Sequence, residues 1–511
     1  MPADGEGVAP AFEEGVDTVA WRTLAWCAVA AFAAYRLPEL TRYALWYDEI
    51  FSVTLAQSSW PDLLDAAIRD RTNPPLFYAL LKVWIGVGGI SVAWMRLLPC
   101  LMGIAVAFPM TALARRALAG PVGTAPSGTD GSPVLAGAAV ALACAASSPL
   151  AVFLSNELRG YSLLLLLTAT SLLAFWRVAE SARWGAPGAF PPEAPSPVGW
   201  AAHEHRRRVV LLIATNVLLV YAHYFGWLVV LAELGAALAW ARRAVRASLS
   251  SAAASGIAFA PWALAVARSA AATPTPLANV DWIARPRIAD VPRFYDALVA
   301  RVLAPSLAPA GAVVVLAVVG WLLATLVWGG PSGHRARATV VAWFALLPVG
   351  LVFAASRVLD RSVFVPRYLM VAAPAWWLLM GVSAVAGISM GRRIGLVAAA
   401  TFAAFVCTAG ALRMATGTEK IAWERLTAAI GADAAAQGVS VAPVVALEGF
   451  TALPVAWYGP QASSPGVRIA VTPYASLGNG GLPSPSWLVV RGAPGRVHPP
   501  MPGPIGGVAF D

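Results

Sequence analysis

The chain has 511 residues, of which 59% are hydrophobic and only 12% charged, about half the charged share of a typical soluble domain. With a mean hydropathy of +0.68, this composition excludes an ordinary soluble enzyme and a disordered chain alike, and describes a polytopic membrane protein. The net charge of +10 sits in short basic clusters between apolar runs, so it reads as a topological signal and no nucleic-acid partner is expected.

In chain order, residues 1–20 are acidic and lack the basic n-region of a secretory signal, which makes them a cytoplasmic tail. A first apolar run, 23–35, is short for a span. Further runs cover 92–114, 134–153, 161–178, 209–222, 225–241, 249–267, 310–328, 338–355, 368–388 and 394–414. About eleven helices are therefore expected, some needing tilt or flanking residues to reach the ~20 residues a bilayer demands. Arg115-Arg116, Arg206-Arg207-Arg208, Arg242-Arg243, Arg335, Arg337 and Arg392-Arg393 then fall on one side. That side is the cytoplasm, with the N-terminus inside and everything after Met414 outside. Arg159, Arg285, Arg287, Arg293, Arg301, Arg357, Arg361 and Arg367 lie on the outer side, where they could hold an anionic lipid head group. The four cysteines, Cys27, Cys100, Cys144 and Cys407, each fall in an apolar run and read as small buried hydrophobes. Heavy Arg and Ala usage, with Lys only at Lys82 and Lys420, suggests a GC-rich bacterial source.

The first outer loop, 36–91, is the most acidic, with Asp48, Glu49, Asp62, Asp65 and Asp70. Ser59-Trp60-Pro61-Asp62 has the form of a helix start, with Ser as N-cap and Pro in the first turn. Asn73-Pro74-Pro75 stops that helix. A second helix follows from Leu76, with Leu76, Phe77, Leu80, Leu81, Trp84 and Ile85 on one face, Lys82 away from it, and Gly86-Val87-Gly88-Gly89 at its end. Too short to cross a bilayer, it is expected to lie along the outer interface, apolar face down. Asp48 and Glu49 would then stand near the lipid boundary. After Met414 the character changes: an amphipathic helix over 419–437 and short strands at 439–447, 467–471 and 487–490 predict a small α/β domain.

Trp46-Tyr47-Asp48-Glu49, Asn73-Pro74-Pro75-Leu76-Phe77-Tyr78 and Arg96-Leu97-Leu98-Pro99 resemble, in order and spacing, the glycosyltransferase family 39 and ArnT-like group. Glu157-Leu158-Arg159-Gly160-Tyr161-Ser162 is similar to that family's next outer loop, with Gly160 where Pro is usual. Tyr221-Ala222-His223-Tyr224-Phe225, Pro366-Arg367-Tyr368-Leu369 and Trp423-Glu424-Arg425 continue the resemblance over most of the chain. It implies an all-α polytopic membrane protein of GT-C architecture over 21–414, with a small extracytoplasmic α/β domain over 415–511. The implied localisation is the bacterial plasma membrane.

The resemblance further implies transfer of a sugar from a polyprenyl-phosphate donor to an acceptor hydroxyl of a glycan, lipid or protein, with Asp48 as general base. The chemistry agrees. An attacking hydroxyl must lose its proton, which a carboxylate within reach can take. The phosphate leaving group is a stable anion that needs cationic donors rather than an acid, and direct displacement inverts the anomeric carbon. Glu49 would orient the base, bind acceptor or be solvated. Arg159 and Arg367 would hold phosphate or merely anchor helix ends. His223, Tyr47, Tyr161 and Tyr368 would contact substrate or belong to an interfacial aromatic belt. Asp48 itself has a bland alternative as the cap of a helix beginning at Glu49. Asp48, Glu49 and His223 could form a carboxylate–imidazole metal site, but their spacing does not demand one. Relatives can work without metal, so neither metal nor cofactor is expected. Two other classes compete: a polyprenyl-lipid transporter or flippase, for which Glu233 inside a span is the relevant residue, and a non-catalytic lipid-binding envelope protein.

Overall fold

A computed structural model describes residues 11–118, 132–181, 198–272, 283–299, 332–359, 361–416, 423–446, 449–462, 467–473 and 487–489. Among the described residues, six helical stretches are long and apolar enough to cross a membrane: Val92–Leu118, Tyr161–Glu180, Arg242–Ala272, Arg335–Val358, Tyr368–Ser389 and Arg392–Leu412. The pair Ser132–Ser147 and Pro149–Ser155, bent by 51°, makes a seventh if it counts as one broken span. The chain is thus membrane-embedded. By this criterion the described residues do not reach the expected eleven. The expected span over 310–328 lies outside them. Helix Val198–Ala222 carries Glu204 and Arg206-Arg207-Arg208 in its first half, and Gly226–Trp240 has only 15 residues, about 22 Å at the α-helical rise. The first helix, in contrast, is longer than its apolar run, extending over Ala11–Arg36.

Label the helices α1 (Ala11–Arg36), α2 (Tyr47–Gln57), α3 (Trp60–Asp70), α4 (Leu76–Gly88), α5 (Val92–Ala105), α6 (Ala107–Leu118), α7 (Ser132–Ser147), α8 (Pro149–Ser155), α9 (Tyr161–Ser181), α10 (Val198–Ala222), α11 (Gly226–Trp240) and α12 (Val245–Ala272). They are followed by α13 (Asp290–Ala297), α14 (Ser332–Val358), α15 (Ala373–Met390), α16 (Arg392–Thr416), α17 (Trp423–Ala436) and α18 (Gly449–Ala462). In the bundle, α7 and α15 meet at two glycines: a Cβ on Gly137 would stand 2.7 Å from Gly381 O, and one on Gly381 would stand 2.6 Å from Gly137 O. Small residues allow this close approach where lipid offers no hydrophobic drive between helices. The bend between α7 and α8 has a local cause. Ser148 precedes Pro149, is non-helical (φ -53, ψ 115), and caps α8 by accepting from Ala151 N. The freed carbonyls of Ala145 and Ala146 accept from Arg36, whose Nε also donates to Ser155 Oγ at 3.1 Å.

The tail forms β1 (Val441–Ala446), β2 (Arg468–Pro473) and β3 (Trp487–Val489), an all-parallel sheet in the order β2-β1-β3. Its strands and α17 match the sequence expectation. Helix α18, which the sequence pattern does not suggest because it contains Pro454 and Pro460, supplies the crossover that parallel β1 and β2 require. It also reaches the membrane-proximal loop, where the hydroxyl of Tyr458 accepts from Leu45 N at 2.6 Å.

That loop is built as expected in its punctuation: Ser59 caps α3 by accepting from Asp62 N, and Arg71 closes it in the left-handed region (φ 58). Two expectations fail. The face of α4 formed by Phe77, Tyr78 and Leu81 is buried in protein, while Leu80, Val83 and Val87 are exposed. Lys82, expected to stand away from the apolar face, donates to the carbonyls of Ala56 and Ser58 at the end of α2. Cys27 is likewise exposed rather than buried.

What seats α2 is an ion pair. Glu49 is 0% exposed and Arg96 on α5 is 1% exposed. Arg96 Nε and Nη2 donate to Glu49 Oε1 and Oε2 at 2.9 and 2.8 Å. The remaining N–H groups of Arg96 reach the carbonyls of Leu40, Tyr43 and Ala44. Glu49 also accepts from Trp46 N and Leu158 N. Removing one partner strands a buried charge, at a cost of about 3–5 kcal/mol. Arg96→Met is therefore expected to lower the thermal midpoint of the purified protein far more than Arg293→Met, whose surface pair with Asp290 is largely exposed; equal losses would refute the clamp.

Candidate active site

Six residues from four distant segments of the chain meet at one end of the bundle. Asp48 is the second residue of α2, whose N-cap is Trp46, so its carboxylate is not the helix cap. It points instead to Arg367, with Oδ2 3.7 Å from Nη1. Arg367 lies just before the 3-10 turn Tyr368–Ala372 and is ringed by aromatic faces. Its guanidinium carbon is 5.6 Å from the Tyr368 ring centre, 5.9 Å from Trp46 and 6.0 Å from Tyr161. His223, in the tight turn between α10 and α11, packs 5.3 Å from Tyr368 and 6.1 Å from Tyr161. Such rings fix the height and plane of the cation and screen it from water.

Arg159 occupies the turn between α8 and α9. That turn is tied down by Leu158 N donating to Glu49 and by Gly160, where an added Cβ would stand 3.3 Å from both Ala222 O and Phe77 Cβ. Arg159 Nη1 donates to the Tyr78 hydroxyl at 3.1 Å. Burial alone would depress its guanidinium, but Tyr78, Asp48, Tyr161 and Asp70 around it reverse that and hold the charge firmly. Tyr47, half-buried, has its phenol pushed up by burial and then by the carboxylates of Asp48 and Asp70.

His223 stays neutral. Burial first, then the charges of Arg159 and Arg367, take its imidazole down to about 3. Its Nδ1 accepts from Phe225 N at 3.1 Å, which assigns the proton to Nε2. That Nε2 and the Tyr161 hydroxyl are buried and have no hydrogen-bond partner among the described residues. The site therefore offers two fixed cations, a carboxylate and two neutral donors.

Of the sequence-predicted residues, Asp48, Arg159, Tyr161, His223, Arg367 and Tyr368 converge, with Tyr47 alongside. Glu49 does not join them: it is buried behind the site with both oxygens engaged by Arg96. Among the described residues, no group of three or more His, Cys, Asp or Glu side chains could hold a metal ion. Three contributors escape the sequence reading. Tyr78 and Trp46 sit inside motifs already singled out, yet their contacts to Arg159 and Arg367 could not be foreseen. Asp70, which accepts from Thr72 Oγ1, is one of several loop carboxylates; burial raises it while Thr72 and Arg159 pull it down.

No family model and no curated protein matches the chain. Solved structures do. ArnT from Cupriavidus metallidurans, in the apo state, superposes with a TM-score of 0.51 at 14% identity, over 89% of this chain and 86% of that one. The same protein bound to undecaprenyl phosphate gives the same score over 85% of its length. The archaeal oligosaccharyltransferase AglB from Archaeoglobus fulgidus, in complex with an inhibitory peptide and a dolichol-phosphate, matches at 0.51 and 10% identity, over 86% of this chain but 63% of its own. The chain has the GT-C fold. Within that architecture its fold is ArnT-like.

The neutral histidine has a measurable consequence. In the unfolded chain His223 takes up a proton below its ordinary 6.5, whereas in the fold it does so only near 3. Acidification through that window therefore favours unfolding. The thermal midpoint is expected to fall as pH drops from 6.5 towards 3, and His223→Gln should flatten part of that fall; identical slopes would exclude the assignment.

Proposed function

We propose that the chain is an inverting membrane glycosyltransferase that moves a sugar from a polyprenyl-phosphate donor to an acceptor hydroxyl. It would work at the extracytoplasmic face of a bacterial plasma membrane, with the N-terminus in the cytoplasm and the 415–511 unit outside. The observation that carries this reading is the pairing of Asp48 with Arg367 inside an aromatic cradle, beside Arg159. The fold it shares with ArnT, which binds undecaprenyl phosphate, supports a lipid-linked donor.

Asp48 takes the acceptor proton as the acceptor oxygen attacks the anomeric carbon. The carbon–oxygen bond to phosphate breaks with its electron pair going to the phosphate, which gains one negative charge. Arg367 and Arg159 meet that charge. Protonation of Asp48 quenches its attraction to Arg367 at the moment the phosphate needs a counter-ion, so one guanidinium serves base and leaving group in succession. Glu49 positions Asp48 through α2 without touching substrate, and the neutral donors His223 Nε2 and Tyr161 hydroxyl suit phosphate or sugar oxygens.

Asp48→Asn is expected to keep the fold and bind polyprenyl phosphate while slowing transfer by about 10²–10⁴-fold; turnover at the wild-type rate would refute the base. Arg367→Ala should raise the donor KM and lower kcat, and unaltered donor kinetics would remove its phosphate role.

A further inference from the structure

Away from this site, four helices share one polar cluster in the interior of the bundle. Glu233 of α11 contacts Ser171 of α9 through Oε1 and Asn216 of α10 through Oε2, the latter at 2.6 Å. Ser171 Oγ stands 2.5 Å from Asn216 Oδ1, and Asn216 Nδ2 also donates to Ser251 Oγ of α12 at 2.9 Å. All four side chains are at most 1% exposed. No cationic side chain among the described residues lies within ion-pair distance of Glu233.

The protons can be counted. Ser171, Asn216 and Glu233 form a closed ring of three contacts, and each contact needs one proton between its heavy atoms. Ser171 has a single hydroxyl proton. The amide of Asn216 enters the ring through two different atoms, only one of which is nitrogen, so it supplies one more. The third must belong to the glutamic acid. With the amide as assigned, Asn216 donates to Oε2, Ser171 donates to Asn216 Oδ1, and Glu233 Oε1 donates to Ser171. With the amide turned over, Asn216 donates to Ser171, Ser171 donates to Oε1, and Oε2 donates to Asn216. Both arrangements demand a carboxyl proton. An ionised Glu233 would face an oxygen lone pair with nothing between them, besides bearing the desolvation of an unpaired charge.

We infer that Glu233 is a proton-binding site within the membrane bundle, where a neutral carboxylic acid closes a hydrogen-bonded ring that ties α9, α10 and α11 together, with α12 joined to it through Asn216 and Ser251. The bound proton is a structural ligand. Both carboxyl oxygens are engaged within the ring, and the inference is independent of the proposed transferase activity.

The test is infrared spectroscopy on the full-length protein in detergent at neutral pH. A neutral carboxylic C=O band, shifting down in deuterated water, is expected in the wild type and lost in Glu233→Gln. That variant should keep a thermal midpoint close to wild type, because the amide N–H donates where the acid did, while Glu233→Ala should lose stability. Loss of an ionised carboxylate band instead, with the neutral band unchanged, would overturn the proposal. Should Glu233→Gln fail to fold, Ser171→Ala serves: removing one ring partner must shift the neutral band, and a band that does not move, or no band at all, would equally overturn it.

Discussion

The candidate site of this protein depends on one buried ion pair. Asp48 and Glu49 are neighbours on a helix, and successive side chains on an α-helix diverge by about 100°, so the two carboxylates cannot serve the same space. Arg96 settles which goes where. By taking both oxygens of Glu49 and three carbonyls of the preceding segment, it fixes the rotation of α2, and Asp48 is left facing Arg367. A buried ion pair is a weak source of net stability, and its best-attested use is to specify register. Here the register is that of a short helix whose second residue carries the proposed chemistry. The same carboxylate holds Leu158 N, so the turn bearing Arg159 is set by the anchor that sets Asp48.

Charge within the site is balanced in advance. Arg159 and Arg367 face Asp48 and Asp70, and the imidazole between the two cations is kept uncharged by burial and by those cations. On the proposed reading, a donor phosphate would meet two guanidinium groups already oriented by their neighbours, which is when charge-assisted hydrogen bonds act most strongly. The aromatic faces of Trp46, Tyr161 and Tyr368 hold Arg367 without neutralising it.

Much of this was readable from the amino-acid order, but by two different routes. The Ser59 cap, the proline stop at Pro74 and the tail strands follow from local physics and appear where expected, whereas the hydrophobic runs give fewer spans among the described residues than the eleven expected. The convergence of Asp48, Arg159, Tyr161, His223, Arg367 and Tyr368 follows from no local rule. It was visible only as a set of motifs in a familiar order. What escaped was decided by tertiary partners. Glu49 and Asp48 look alike until Arg96 selects one. Periodicity shows that α4 has an apolar face, yet not that Phe77 and Leu81 pack on protein while Val83 and Val87 stay exposed. Helix α18 is masked by its prolines, and Glu233 could not be read without Ser171 and Asn216 on other helices.

Arg36 lends the first helix a further meaning. A guanidinium that ends α1 and grips the open carbonyls of a broken neighbour works as a depth stop. Sliding α1 by even one turn would carry its charge about 5.4 Å from those carbonyls, stranding donor and acceptors together. The height of α1 against the broken helix pair is thereby set by contacts within the protein itself.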